Sequence, residues 1–163
     1  MPMDEEGFCA FYEETARKLR SYLRSVLRDD VTLVDDILQE SYFRLLQADL
    51  PIGMTAAWRK NYLYRIAINL VRDHRRSRQM GPLSVEREYA APENSFDEAR
   101  DIQQIFGRLK PKERDLLWLA YVECFSHSEI AALLQASTAS IRPMLARARA
   151  SFAALLKKRG YGA

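Results

Sequence analysis

Trp58-Arg59-Lys60-Asn61-Tyr62-Leu63-Tyr64-Arg65-Ile66-Ala67-Ile68-Asn69-Leu70-Val71-Arg72-Asp73-His74-Arg75-Arg76 is the stretch on which the reading of this chain turns. Tyr62, Leu63, Ile66, Ala67 and Leu70 recur at helical spacing, and Arg65, Asn69, Arg72 and Arg76 fall at i, i+4, i+7 and i+11 on the opposite face. The pattern predicts a helix with a buried apolar stripe and a cationic outer face. Cations grip phosphates, an asparagine amide can pair with a base edge, and exposed aromatics such as Trp58 stack on unpaired bases. Tyr62, on the stripe, reads as a core residue. His74 reads as a polar-face residue, because no histidine or cysteine stands at ligand spacing from it.

The same periodicity extends outward. Ile37, Leu38, Tyr42, Leu45 and Leu46 make one further stripe, and Leu116, Leu117, Ala120, Tyr121 and Cys124 another, while no useful segment alternates with period two. The chain is therefore expected to be all-α. Gly53 and Pro51, Gly81-Pro82, Pro92, and Gly160 and Gly162 punctuate it. Residues 79–94 have little periodicity, two prolines and surplus acid, the marks of a linker. Ser95 with Glu98 forms a capping box, so a new helix should start near Phe96. Two small helical domains follow, residues 1–78 and 95–163.

A length of 163 residues with 48% apolar side chains fits one ordinary domain or two small ones and excludes wholesale disorder. No run approaches the roughly 18 to 20 apolar residues of a membrane span, and the acidic start Met1-Pro2-Met3-Asp4-Glu5-Glu6 lacks the layout of a signal peptide. Cys9 and Cys124 support neither a disulfide framework nor a zinc site. A cytoplasmic protein without cofactor or membrane insertion of its own is expected. The net charge of +3 is unevenly spread. Residues 1–58 hold 6 basic and 11 acidic side chains, residues 59–78 hold 7 and 1, residues 79–101 hold 2 and 6, and residues 102–163 hold 10 and 4. Two basic blocks separated by acidic ones suggest two polyanion-facing surfaces.

The second basic block contains a helix-turn-helix pattern. Ser126-His127-Ser128-Glu129 is a capping box, Glu129–Leu134 a short helix, Gln135-Ala136-Ser137 a turn, and Ile141, Leu145 and Ala148 the buried stripe of the next helix. Ser137, Thr138, Ser140 and Arg142 would face the major groove or its walls, and Arg147 and Arg149 could hold phosphates. Gln135 stands where glycine would ease a left-handed turn. Pro143 lies inside the presumed recognition helix, which predicts either a late start capped by Ser140 or a helix that bends there. Under the late start Arg142 is the principal reader.

In this order the elements resemble the extracytoplasmic-function sigma factors of bacterial RNA polymerase. Val34 to Leu45 is similar to the family's polymerase-binding helix, Tyr62 to Arg76 to its promoter −10 helix, and Leu109 to Arg149 to its −35-binding domain. The resemblance implies a sigma-2 domain and a sigma-4 domain on a tether through polymerase. It places polymerase contacts at Asp35, Asp36, Gln39 and Glu40, and −10 contacts at Arg65, Asn69, Arg72, Asp73, Arg75 and Arg76. The loop Asp49–Ala57 resembles the one that helps capture a flipped −10 base. Core RNA polymerase, promoter DNA and an anti-sigma factor are the implied partners.

Two other readings fit a helical DNA-binding pattern less fully: a dimeric helix-turn-helix regulator on palindromic DNA, and a protein-interaction adaptor. An enzyme is not expected, since no nucleophile–base set, metal spacing or phosphate-cradling glycine loop occurs.

Overall fold

Asp4 and Asp30 each place a carboxylate at the start of an apolar-periodic run, and each caps a helix. Asp4 Oδ1 accepts from the Gly7 amide at 2.7 Å to open α1 (Glu5–Val26), and Asp30 Oδ1 accepts from Leu33 at 3.3 Å to open α2 (Val31–Gln47). Thr55 Oγ1 accepts from Trp58 N–H at 3.2 Å ahead of α3 (Ala56–Gln79). The structure is a computed structural model that describes residues 3–28, 30–79 and 98–162. The described residues contain helices and turns but no strand, and the chain divides into two units, Met1–Tyr89 and Ala90–Ala163. The expected capping box of Ser95, the helix start near Phe96 and most of the linker lie outside the described residues.

In the first unit α1, α2 and α3 pack around Leu19, Leu23, Leu38, Leu45, Leu63 and Ile68, all buried. A polar pair sits inside: the hydroxyls of Thr15 and Tyr42 share a hydrogen bond of 2.6 Å, and Thr15 also donates to the Phe11 carbonyl at 2.8 Å. Burial pushes the Tyr42 phenol up to about 12, the Thr15 bond lowers it and Tyr12 adds a smaller upward push. The expected stripes shift in detail. On α2 Leu46 is exposed, because Leu45 on the next 100° of the helix already fills the core. On α3 the buried set is Leu63, Tyr64, Ala67, Ile68 and Val71, whereas Tyr62, Ile66 and Leu70 are only half-buried. Tyr64 is drawn inward by an edge-on contact with Tyr22, ring centroids 5.7 Å apart, which turns the stripe by one residue.

The second unit contains α4 (Glu98–Gly107), α5 (Pro111–Leu117), a π-helical turn (Trp118–Val122), α6 (His127–Leu134) and α7 (Thr138–Lys158). The long α7 packs against α4, α5 and α6, burying Ile105, Leu116, Leu119, Ile130, Ile141 and Leu145. Here the third expected stripe fails beyond Leu117. The π turn adds a residue to the helical ring, so Leu119, Glu123 and Phe125 go inward while Tyr121 and Cys124 face out.

Candidate functional site

The capping box opening α6 is present as the sequence predicts. Ser126 Oγ accepts from Glu129 N–H at 3.2 Å, and Glu129 Oε1 accepts from Ser126 N–H at 3.4 Å. Gln135 closes α6 in the left-handed conformation, φ 54° and ψ 46°, and the Ala136 amide returns to the Ala131 carbonyl at 2.9 Å. That bond satisfies a carbonyl of the last turn and sets the bend of the motif. Gln135 bears the strain that glycine would avoid.

Ser137, extended at φ −79° and ψ 145°, then occupies the N-cap position of α7 without a side-chain capping bond, and α7 runs continuously from Thr138 through Pro143 to Lys158. The late start at Ser140 is thus overturned, and with it the argument that made Arg142 the leading reader. Ser140 is already helical: its amide bonds the Ser137 carbonyl at 3.1 Å and its Oγ donates to the same oxygen at 2.7 Å. Pro143 is tolerated because Ala139, whose carbonyl loses its partner, lies with Pro143 on an exposed face where water can replace the bond. Ser137, Thr138, Arg142, Arg147 and Arg149 are all exposed. Arg142 and Arg149 share one side of α7 with Thr138, while Arg147 stands about 140° from Arg142.

In the first unit, α3 carries Arg65, Asn69, Asp73 and Arg76 exposed, with Arg72 and Arg75 half-buried at the margins. The one-residue turn of the stripe moves Asp73 toward the middle of the outer face and Arg72 toward its edge. Among the described residues the Arg75 Nη2 and His74 Nε2 atoms are shielded from water without a hydrogen-bond partner. Trp58, seven residues before Arg65, lies on the same face and is 53% exposed. Tyr62 stacks on it, centroids 6.1 Å apart and planes 9° from parallel, so Tyr62 is not the core residue expected. The preceding loop ends at Thr55 rather than Ala57, since Ala56 and Ala57 are helical, and Ile52 at its tip is 87% exposed.

The acidic face of α2 is split between free and paired groups. Asp36 and Gln39 are exposed, Asp35 pairs with Arg20 of α1, and Glu40 accepts from Arg44 at 2.8 Å. Beside them Tyr12, Phe43 and Leu46 are exposed and, with Arg20, Asp35 and Gln39, line a shallow groove between α1 and α2. The apolar half of this surface was missed in the sequence. Its signal was the Phe43-Arg44-Leu45-Leu46 run, which holds more apolar residues than one helix face can bury. No group of metal-ligating side chains occurs among the described residues, and no helix there is long and apolar enough to cross a membrane.

Residues 99–152, from α4 through most of α7, match the family model described as Sigma-70, region 4. The chain is 30% identical over 169 residues to the RNA polymerase sigma factor NccH of Alcaligenes xylosoxydans xylosoxydans, covering 94% of this chain and 89% of that one. It is 26% identical over 149 residues to the ECF RNA polymerase sigma factor SigK of Mycolicibacterium vanbaalenii, covering 85% and 76%. Its fold resembles that of the sigma factor RpoE solved in complex with the anti-sigma factor NepR from Bartonella quintana. That likeness has a TM-score of 0.65 at 20% identity and covers 92% of this chain and 96% of that one.

Proposed function

Since the chain belongs to the extracytoplasmic-function sigma factors of RNA polymerase, we propose that its two units divide promoter recognition between them. As a sigma factor it is a transcription initiation factor, not an enzyme: it binds core RNA polymerase and directs it to promoters through their −10 and −35 elements. Residues 1–78 serve core binding and the −10 element, residues 95–163 serve the −35 element, and residues 79–94 link them. The observation that carries this division is the match of residues 99–152 to sigma-70 region 4 on the very helices that form the α6–Gln135–α7 motif.

On α2 the exposed Asp36 and Gln39, with Asp35 and Glu40, offer the polar half of a polymerase dock, and Phe43 and Leu46 the apolar half. Interfaces join an apolar centre to a polar rim in this way. On α3 Asn69 reads a base, Arg65, Arg72 and Arg76 hold phosphates, and Asp73 and Arg75 flank them. The stacked Trp58–Tyr62 pair offers a flat ring to an unstacked base at the same face. In the C-terminal unit Ser137, Thr138, Ser140 and Arg142 stand at the groove end of α7, with Arg147 and Arg149 beyond. An anti-sigma factor is a further partner, by analogy with the NepR-bound relative. The protein acts in the cytoplasm, where polymerase and promoters meet.

Run-off transcription on genomic fragments tests this reading. Core polymerase with this protein should yield discrete transcripts that core alone does not; the same products with and without the protein would refute it.

A further inference from the structure

Arg149 does not stand alone on α7: its Nη1 donates to the Tyr121 hydroxyl at 2.7 Å, across 28 positions of chain. Tyr121 reaches that place through the π turn. There the Glu123 amide bonds the Trp118 carbonyl at 3.1 Å, and Phe125 bonds Leu119 at 2.9 Å. The widened ring buries Leu119 and turns Tyr121 outward, leaving it 56% exposed. A tyrosine so exposed contributes little by burial, so its position calls for another account. Single π turns inside helical segments often mark functional positions.

The chemistry of the pair is one-sided. Having accepted from Arg149, the phenol keeps its own proton to donate, and the guanidinium keeps four further N–H groups. The pair thus offers converging donors and a positive charge, which suits a phosphate oxygen. Its location fits as well. Thr138, Arg142 and Arg149 fall within about 40° of one another around α7, and Arg149 lies about 10 Å beyond Arg142 along the axis. When the N-terminal end of such a helix enters the major groove, a residue on the same stripe two turns later passes the backbone at the groove's edge. Arg147, about 140° away, points elsewhere.

We propose that Tyr121 and Arg149 form a two-residue phosphate clamp at the edge of the −35 contact, in which Tyr121 orients the guanidinium and donates its own proton beside it, with Arg147 outside the clamp. This rests on the assignment of the C-terminal unit to −35 DNA. The test uses the full chain assembled with core polymerase on a promoter fragment obtained by run-off transcription, titrated over a range of salt. Arg149→Ala should weaken binding roughly fivefold and reduce the steepness of the log affinity–log salt line by about 0.9. Tyr121→Phe, which keeps the ring, should move both in the same direction by less. The double variant should bind like Arg149→Ala alone, because the two residues act as one unit. Arg147→Ala, outside the pair, should instead combine additively with Tyr121→Phe. A wild-type slope and affinity for Tyr121→Phe would overturn the clamp, as would Tyr121→Phe coupling to Arg147→Ala as strongly as to Arg149→Ala. Failure of the wild-type complex to protect the −35 region at all would instead overturn the assignment on which the clamp rests.

Discussion

Replacing Pro143 with alanine should stabilise the C-terminal unit. Pro143 is the sixth residue of a continuous α7, so the Ala139 carbonyl finds no amide four residues on and the pyrrolidine ring crowds it. Arg142, immediately before the proline, is also held in a helical conformation that the ring disfavours. In a helix interior the exchange of proline for alanine is worth about 3 kcal/mol. Pro143 and Ala139 are both exposed, so the substitution loses no packing and the orphan carbonyl lies on a face open to solvent. A first turn free to adjust relieves part of the clash, which leaves a gain of about 2 kcal/mol. For a unit of this size that corresponds to a melting point higher by about 10 °C. Far-UV circular dichroism during heating, checked by urea unfolding of the full chain, reads the change directly. A Pro143→Ala variant that melts with or below the parent would show that Pro143 carries no such cost, α7 having removed it by some local arrangement.

Replacing Asp35, Asp36 and Glu40 together by lysine should weaken core-polymerase binding with a small loss of stability, since the two exposed ion pairs it breaks are each worth about 1 kcal/mol or less; unchanged capture of core polymerase at physiological salt would remove this face as the dock. Asn69→Ala should blur discrimination among −10 sequences, whereas Arg76→Ala should weaken all promoters alike and flatten the salt dependence. Base preference altered by Arg76→Ala but not by Asn69→Ala would reverse these roles. Burial raises the Tyr42 phenol to about 12 from its ordinary 10.0, so the folded state holds that proton more tightly than the unfolded chain. Its contribution is complete below pH 10 and is lost as the pH rises toward 12. Tyr42→Phe should remove that part of the alkaline decline, and identical declines for parent and variant in denaturant titrations would contradict it.

The helices were legible because their starts carry chemistry and their bodies carry period. Ser126 with Glu129 marked α6, and Ile141, Leu145 and Ala148 marked the inner face of α7 correctly. Phase was harder. From Tyr62 to Val71 the apolar residues cover most of the helix circumference, so the pattern alone does not choose between Tyr62 and Tyr64 as the inward ring. Only the partner Tyr22 decides it. The π turn at Trp118–Val122 has no compositional signature, and it moved Tyr121 and Cys124 from the expected core to the surface. Gln135 and Pro143 show the converse case. Local rules made both suspect, yet the turn and helix form around them, because six-residue closure by Ala136 and solvation of Ala139 compensate. For the candidate site, the outer faces of α2, α3 and α7 followed from which residues their cores claim. The apolar part of the α2 surface did not, because a hydrophobic residue in a sequence gives no sign of whether it packs within the chain or against a partner.

On this account the chain reads promoters as part of RNA polymerase rather than as a free DNA-binding protein. Footprinting on a promoter fragment, with the chain alone and with the chain plus core polymerase, tests it most directly. Protection of separate −35 and −10 regions only when core polymerase is present is the predicted result. A two-fold symmetric footprint produced by the chain alone, unchanged by core polymerase, would contradict it and establish the dimeric regulator in its place.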